Sequence, residues 1–239
     1  MSEAMMLLMA KSTWETIVMA FASGFFGFLI GLPAGVLLYV TRPGQILDNP
    51  TIYRSMSAVV NVFRSLPFII LIVWMIPFTD LIMGTFIGLK AALVPLSIGA
   101  APFIARMVEN TLLEISTGLI EAARSMGATP LQIIYKVLLP ESLPGLINSA
   151  SITLITLVGY SAIVGSTVSA GGLGQLGYQY GYVRYDATVM NTVLVLLIIL
   201  VYLIQFCGIV WSKPLLINNC FDKDNCAACS VLIIERKIC

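Results

Sequence analysis

The amino-acid sequence predicts an all-α integral membrane protein with five transmembrane helices and a cytoplasmic pair of short helices. Hydrophobic residues make up 59% of the 239 residues and charged residues only 10%, a composition outside the range of ordinary soluble domains. The first uncharged stretch, residues 17–40, is long enough to cross a hydrocarbon core of about 30 Å as a helix. We therefore expect the lipid bilayer to surround most of the chain.

Five spans are predicted from the apolar stretches. The second includes Arg64, whose long side chain can reach the membrane surface or face the helix bundle, and the third contains Pro95 and Pro102, which transmembrane helices tolerate. The predicted spans cover residues 13–40, 56–79, 89–108, 143–164 and 187–211. With the loop 109–141 they form a transmembrane domain of residues 1–206, and residues 207–239 hold the end of the last span and an atypical tail.

The distribution of Lys and Arg predicts the orientation, because cytoplasmic loops retain these residues. One predicted face carries Arg42, Arg54, Arg64, Arg106, Arg124 and Lys136. The opposite face carries Lys11, Lys90 and Arg184. We expect an external N-terminus, a cytoplasmic C-terminus, and a cytoplasmic location for the loop 109–141.

That loop is predicted to form two short helices. The first covers residues 116–126 and ends at Gly127, which can adopt the left-handed conformation that closes a helix. Thr129 and Pro130 are suited to begin the second, and Pro140 is expected to end it. The second helix has an apolar stripe of Leu131, Ile134 and Leu138. Periodicity alone is compatible with a helix pair that lies on lipid headgroups or one that contacts a partner.

Several residues of the loop occur at a fixed spacing: Glu121, Ala122, Ala123, Gly127, Val137, Leu139 and Pro140. This pattern resembles the EAA loop of membrane subunits of ABC importers, with valine where isoleucine is usual. Over residues 1–206 the chain further resembles permeases of bacterial methionine importers, in four segments. They are TRPGQ at 41–45, FRSLPFIILIVWMIPF at 63–78, APFIARMVEN at 101–110 and GGLGQLGYQYGY at 171–182.

The resemblance implies a homodimer of five-helix subunits in the bacterial inner membrane. It also implies two copies of an ATPase subunit that binds ATP and Mg, and an external lipoprotein that captures methionine. In such importers the EAA loop docks on the ATPase, so its seven residues are expected to couple hydrolysis to transport. Methionine as the substrate rests on the resemblance, and another small amino acid or polar solute remains the alternative.

The residues themselves argue against an enzyme. The chain has no His and no G-x-x-x-x-G-K-[ST] motif, so we expect no catalytic residue, cofactor or metal in it. Its net charge of +1 gives no indication of nucleic acid as a partner. An ion-coupled carrier is the alternative from another class, but such carriers commonly have ionisable groups near the membrane midplane and internal repeats. A simple channel would not need the EAA-like loop.

A polar face on the fourth predicted span is a candidate translocation path. It consists of Ser149, Thr153, Thr156 and Tyr160, which recur at helical spacing. Small hydroxylated residues serve equally well in pore lining and in hydrogen bonds between helices, so both interpretations stay open. Weak polar contacts of this kind suit a path from which a zwitterionic solute must be released.

Two Gly-rich segments have different expected roles. Gly27, Gly31 and Gly35 form G-x-x-x-G-x-x-x-G in the first span, which favours close helix packing. Residues 165–184 are rich in Gly and Tyr and are predicted to be external. We interpret this segment as a docking surface for the solute-binding protein, with a loop or a re-entrant segment as the alternative.

The C-terminal tail differs from the resembled family. All five cysteines lie there, at positions 207, 220, 226, 229 and 239. Cys226-x-x-Cys229 could indicate zinc or redox chemistry, but the chain has neither His nor a second such motif. We therefore favour an unrelated extension, and a cytoplasmic tail would keep its thiols reduced.

The predicted orientation can be tested by labelling single cysteines introduced into a variant that lacks the native ones. A membrane-impermeant thiol reagent should label Gln175→Cys in intact cells and leave Gln132→Cys unlabelled until the membrane is opened. The reverse labelling pattern would contradict the orientation.

Overall fold

The computed structural model describes residues 3–221, with side chains described as far as Ser212. Its helices are α1 (Glu3–Thr41), α2 (Pro50–Ser65), α3 (Phe68–Met83), α4 (Leu89–Leu113), α5 (Thr117–Ser125), α6 (Pro130–Ile133), α7 (Leu139–Thr167), α8 (Gly172–Leu176) and α9 (Ala187–Phe221). A π-helical turn at Ile134–Leu138 joins α6 to α7, and a second at Gly177–Val183 extends α8. The described residues contain no β-strand, and the predicted all-α class is confirmed.

Within residues 3–221, four helical units are long and apolar enough to cross a membrane. They are α1, α4, the continuous stretch Pro130–Thr167, and α9 as far as Ser212. The pair formed by α2 and α3 meets the same criteria jointly but is bent by 105°. The structure therefore has four spans, or five if the bent pair counts as one.

The second predicted span is not one helix. The chain breaks at Leu66 and Pro67, where Leu66 is extended (φ −75°, ψ 129°). Proline disfavours the helical conformation in the residue before it and has no N–H to continue the hydrogen-bond ladder. Residues 56–79 thus divide between α2 and α3, and Arg64 is exposed in the last turn of α2.

The first helix is longer than predicted. It begins at Glu3 and has 39 residues, about 58 Å at 1.5 Å per residue, which exceeds the hydrocarbon core. Its first turns contact α8, where Met9 packs with Leu173 and Leu176. This contact gives the residues before position 13 a structural role that hydropathy did not predict.

The core lies where α1 crosses α4. Leu96, Ile104 and Val108 of α4 are fully buried, and the glycine stripe of α1 faces them. A Cβ added to Gly31 would lie 2.7 Å from the Ile104 Cβ, and one added to Gly35 would lie 2.6 Å from the Ala105 carbonyl oxygen. The predicted packing role of this stripe is confirmed, because any side chain would force the two backbones apart.

Gly35→Ala should therefore destabilise the protein, by about 1–3 kcal/mol as overpacked cores generally do. Gly159→Ala is the matched control, because α7 has nothing within 4 Å of a Cβ at that position. Thermal unfolding in detergent should show a lower midpoint for Gly35→Ala and an unchanged or higher one for Gly159→Ala. Equal midpoints would contradict the close contact between α1 and α4.

Candidate functional site

The first helix of the loop forms as predicted. Helix α5 follows the N-cap Ser116 and ends at Ser125, with Met126 as its C-cap. Gly127 has φ +80° and donates its N–H to the Arg124 carbonyl oxygen at 2.9 Å, while Ala128 N–H reaches the Ala123 oxygen at 3.1 Å. These two bonds form a Schellman motif, in which glycine is favoured because a Cβ is strained at this φ.

The second helix begins as predicted but does not end at Pro140. The Thr129 side chain accepts from Gln132 N–H at 3.4 Å, and Gln132 Oε1 accepts from Thr129 N–H at 2.9 Å, which completes a capping box. The chain then passes through the π turn directly into α7, where Pro140 is the second residue. A widened turn gives the proline ring room where a regular α-helix would bring it against the Lys136 carbonyl.

The seven EAA-like residues divide between two environments. Glu121, Ala122, Gly127 and Pro140 are exposed. Ala123 is buried, and Val137 and Leu139 pack partly buried against the core. The motif therefore combines an anchoring face with an outward face that a partner can contact.

The apolar stripe of the second helix differs from the predicted one. Leu131 is 67% exposed, whereas Ile133, which the periodicity did not single out, is 1% exposed. Met126 and Tyr135 are also outward, at 82% and 69% exposure. Glu121 makes no ion pair with any described residue, so the outward face offers apolar area together with an available carboxylate.

The candidate path residues do not share one environment in the protomer. Ser149 and Thr153 are buried, and Ser149 Oγ lies 3.0 Å from Thr111 Oγ1 of α4. Thr153 Oγ1 donates to the Ser149 carbonyl oxygen at 2.7 Å. At these two positions the geometry favours hydrogen bonding within and between helices.

The other two path residues are partly accessible. Thr156 Oγ1 donates to the Ile152 carbonyl oxygen at 2.9 Å. Tyr160 stacks on Phe68 with ring centroids 4.0 Å apart, which fixes the start of α3 against α7. Thr156 and Tyr160 are therefore the members of the set that a solute could approach in the protomer.

Sequence reasoning missed a buried carboxylate near the C-terminal end of α4. Glu109 is 1% exposed. Its carboxylate oxygens accept hydrogen bonds from Arg106 Nη1 and, at 3.2 Å, from Tyr53 Oη. Arg42 Nη1 lies 3.9 Å from the same carboxylate. Arg106 Nη2 donates to Ser57 Oγ at 3.1 Å and to Asn61 Oδ1 at 2.8 Å. We call these residues the Glu109 network: Arg42, Tyr53, Ser57, Asn61, Arg106 and Glu109. The i,i+3 spacing of Arg106 and Glu109 was the one feature of the sequence that could have indicated this network.

The Gly- and Tyr-rich segment forms a short helical element at the opposite end. Glu15 Oε2 accepts from Gly172 N–H at 2.8 Å, and Thr16 Oγ1 accepts from Leu173 N–H at 2.9 Å, so α1 side chains cap α8. A cleft of 390 Å³ lies beside these bonds and is bordered by Lys11 and Gln179. The segment is thus an ordered helical element that packs on α1.

Tyrosines form the outer surface of this element. Tyr178 and Tyr182 stack with centroids 5.7 Å apart, and Tyr185 follows at 6.4 Å from Tyr182. All three are exposed, Tyr185 to 85%. Arg184 lies over the ring of Tyr180 at 4.4 Å, a cation–π contact that adds order to this end of the helix.

Within the described residues, no group of three His, Cys, Asp or Glu side chains could hold a metal ion. Cys207 is an exposed free thiol. The side chains of Cys220, Cys226, Cys229 and Cys239 lie outside the described residues, and so do both interpretations of the tail, the favoured unrelated extension and the Cys-x-x-Cys alternative.

The apolar helical bundle and the ordered loop between α4 and α7 define a multi-pass membrane transport subunit. The family model described as "binding-protein-dependent transport system inner membrane component" matches residues 27–213. The chain therefore belongs to this family of inner membrane transport components, and the resemblance seen in the sequence is confirmed.

Individual members of the family and a solved structure also match this chain. The D-methionine transport system permease protein MetI of Salmonella typhimurium is 74% identical over 165 residues, covering 69% of this chain and 76% of that protein. The probable counterpart of Vibrio cholerae is 55% identical over 201 residues, covering 84% and 89%. An inward-facing structure of the MetNI methionine ABC transporter aligns with a TM-score of 0.88 at 72% identity, over 90% of this chain and 99% of that one.

Proposed function

We propose that this chain is the permease subunit of an ABC importer and forms the path by which methionine crosses the bacterial inner membrane. The observation that carries the proposal is its similarity to a methionine ABC transporter structure at 72% identity and a TM-score of 0.88. In this proposal two copies of the chain form a dimer. Each copy contacts one ATPase subunit, and ATP and Mg bind in those partners.

The ATPase docks on the outward face of the loop helices. The exposed Met126, Leu131 and Tyr135 supply apolar contact area, and the Glu121 carboxylate is available to a basic group of the partner. Ala123 and Leu139 hold this face against the core. A rigid loop is the useful arrangement, because a docked subunit can move the bundle only if the contact transmits force without deforming.

The helical element at the other end of the molecule contacts the external lipoprotein that delivers methionine. Its exposed Tyr178, Tyr182 and Tyr185 give large contact area at low entropic cost. The cleft beside Lys11 and Glu15 lies at the same end. The N-terminus is then external and the loop helices cytoplasmic, in agreement with the charge distribution.

Proteoliposomes that contain this chain, its genomic ATPase partner and the cognate binding protein should take up labelled methionine only with internal ATP. Excess unlabelled L- or D-methionine should compete with the label, whereas alanine should not. Absence of methionine uptake, with ATP-dependent uptake of a different labelled amino acid, would replace methionine as the substrate. Uptake driven by an ion gradient without ATP would favour the carrier alternative.

Two loop variants should separate folding of the permease from its coupling to the ATPase. Gly127→Val forces a β-branched residue into a left-handed conformation, at a local cost of about 1–3 kcal/mol, and Glu121→Lys reverses the outward charge. Both proteins should insert into the membrane and lose most of the co-purifying ATPase, with transport reduced about tenfold or more.

Matched controls keep the relevant property at each position. Gly127→Asn retains a residue that tolerates positive φ, and Glu121→Asp retains the carboxylate, so both should keep the ATPase bound. The coupling role of the loop is wrong if Gly127→Val and Glu121→Lys bind the ATPase and transport at the wild-type rate.

A further inference from the structure

Helix α2 is attached to the bundle by a small apolar contact, to which Tyr53 and Met56 also contribute, and by side-chain hydrogen bonds. Of its sixteen residues only Val60 is buried, in a small cluster with Leu38 and Ala105. By contrast, thirteen of the twenty-five residues of α4 are buried. The position of α2 on α4 therefore depends strongly on the side-chain bonds that join the two helices.

Those bonds converge on one pair of residues. Arg106 and Glu109 are three residues apart on α4, and between them they bond Tyr53, Ser57 and Asn61 of α2. The three partners lie on successive turns of α2, so the pair holds the helix along its length rather than at one point. Both Glu109 oxygens are engaged, and the carboxylate is closed to solvent.

The same pair is connected to the loop helices through the link between α1 and α2. Arg42, at the start of this link, lies 3.9 Å from Glu109. Three residues later the Gln45 carbonyl oxygen accepts from Arg124 Nη2 of α5 at 3.3 Å. Polar contacts therefore run from α5 to the link, from the link to Glu109, and from Glu109 to α2.

We infer that Glu109 is a positioning residue that makes α2 move with the loop helices α5 and α6. Displacement of α5 by the ATPase is passed through the link and the Glu109 network to α2, and the break at Pro67 lets α2 move relative to α3. This inference rests on the proposed coupling role of the loop. It assigns a function to a buried charged cluster that the EAA-like motif does not contain.

The test uses the complete complex with its ATPase, reconstituted in proteoliposomes, and compares ATP hydrolysed with methionine imported. Glu109→Gln keeps the shape of the side chain and removes its charge. The variant should retain the ATPase and hydrolyse ATP, but the number of ATP molecules used per methionine should rise roughly tenfold. A purely structural role would lower hydrolysis and transport together and leave that ratio unchanged.

Asp48→Asn is the matched control. This carboxylate lies in the same link, is exposed, and accepts from Gly44 N–H at 3.0 Å, a bond that the asparagine oxygen can replace. Its ratio should equal the wild-type value. An equal increase in both variants would mean that any charge change at this end uncouples the transporter, and would overturn the specific role of Glu109.

A distance measurement tests the movement directly. Spin labels are placed at Arg54→Cys on α2 and Ser125→Cys on α5, in a variant without native cysteines. The distance between the two labels of one protomer should have the same narrow distribution with and without ATP and vanadate. Glu109→Gln should broaden the distribution or split it. An unchanged narrow distribution in this variant, together with an unchanged ratio, would refute the inference.

A milder variant decides the matter if Glu109→Gln fails to assemble. Asn61→Ala removes one bond from Arg106 to α2 without leaving the carboxylate unpaired, and should raise the ratio about threefold, as the loss of one hydrogen bond suggests. A wild-type ratio would overturn the inference. The outcome is separable from the proposed function, because Gly127→Val and Glu121→Lys test docking independently of the Glu109 network.

Discussion

The contact between α1 and α4 is the constraint on which the rest of the structure depends. Gly31 and Gly35 let the two backbones approach until an added Cβ would lie less than 3 Å from α4. In a bilayer the hydrophobic effect does not drive helices together, so close packing of this kind supplies the attraction. Helix α4 in turn contacts α2, α3 and α7, and the α1–α4 pair therefore sets the frame for the other elements.

Local chemistry made part of the candidate site predictable. The left-handed Gly127, the N-cap Thr129 and the residues that bound α5 all follow from preferences that act over three or four positions. The same reasoning was wrong where two local preferences competed. Pro140 usually ends a helix, but a π turn accommodates it here, and Pro67 breaks a stretch whose hydropathy indicated a single span.

Contacts between distant segments could not be predicted from one sequence. The Glu109 carboxylate meets Tyr53 across 56 positions, and Glu15 meets Gly172 across 157. Nothing in the spacing of these residues specifies the partner, because the partner depends on how the helices pack. Even the i,i+3 pair of Arg106 and Glu109 does not indicate by itself that the carboxylate is buried.

The two kinds of attachment in this protein have different consequences for movement. Helix α4 is held by interlocking side chains, and such packing resists continuous deformation. Helix α2 has little buried apolar surface and is held by hydrogen bonds to Arg106 and Glu109. Such bonds can be broken and remade with other partners without opening a cavity in the core. An importer needs a fixed frame and an element that changes position. Helix α4 supplies the fixed frame and α2 the element that can move. The loop helix α5 contacts the link between α1 and α2, close to Glu109, through which α2 is attached to α4.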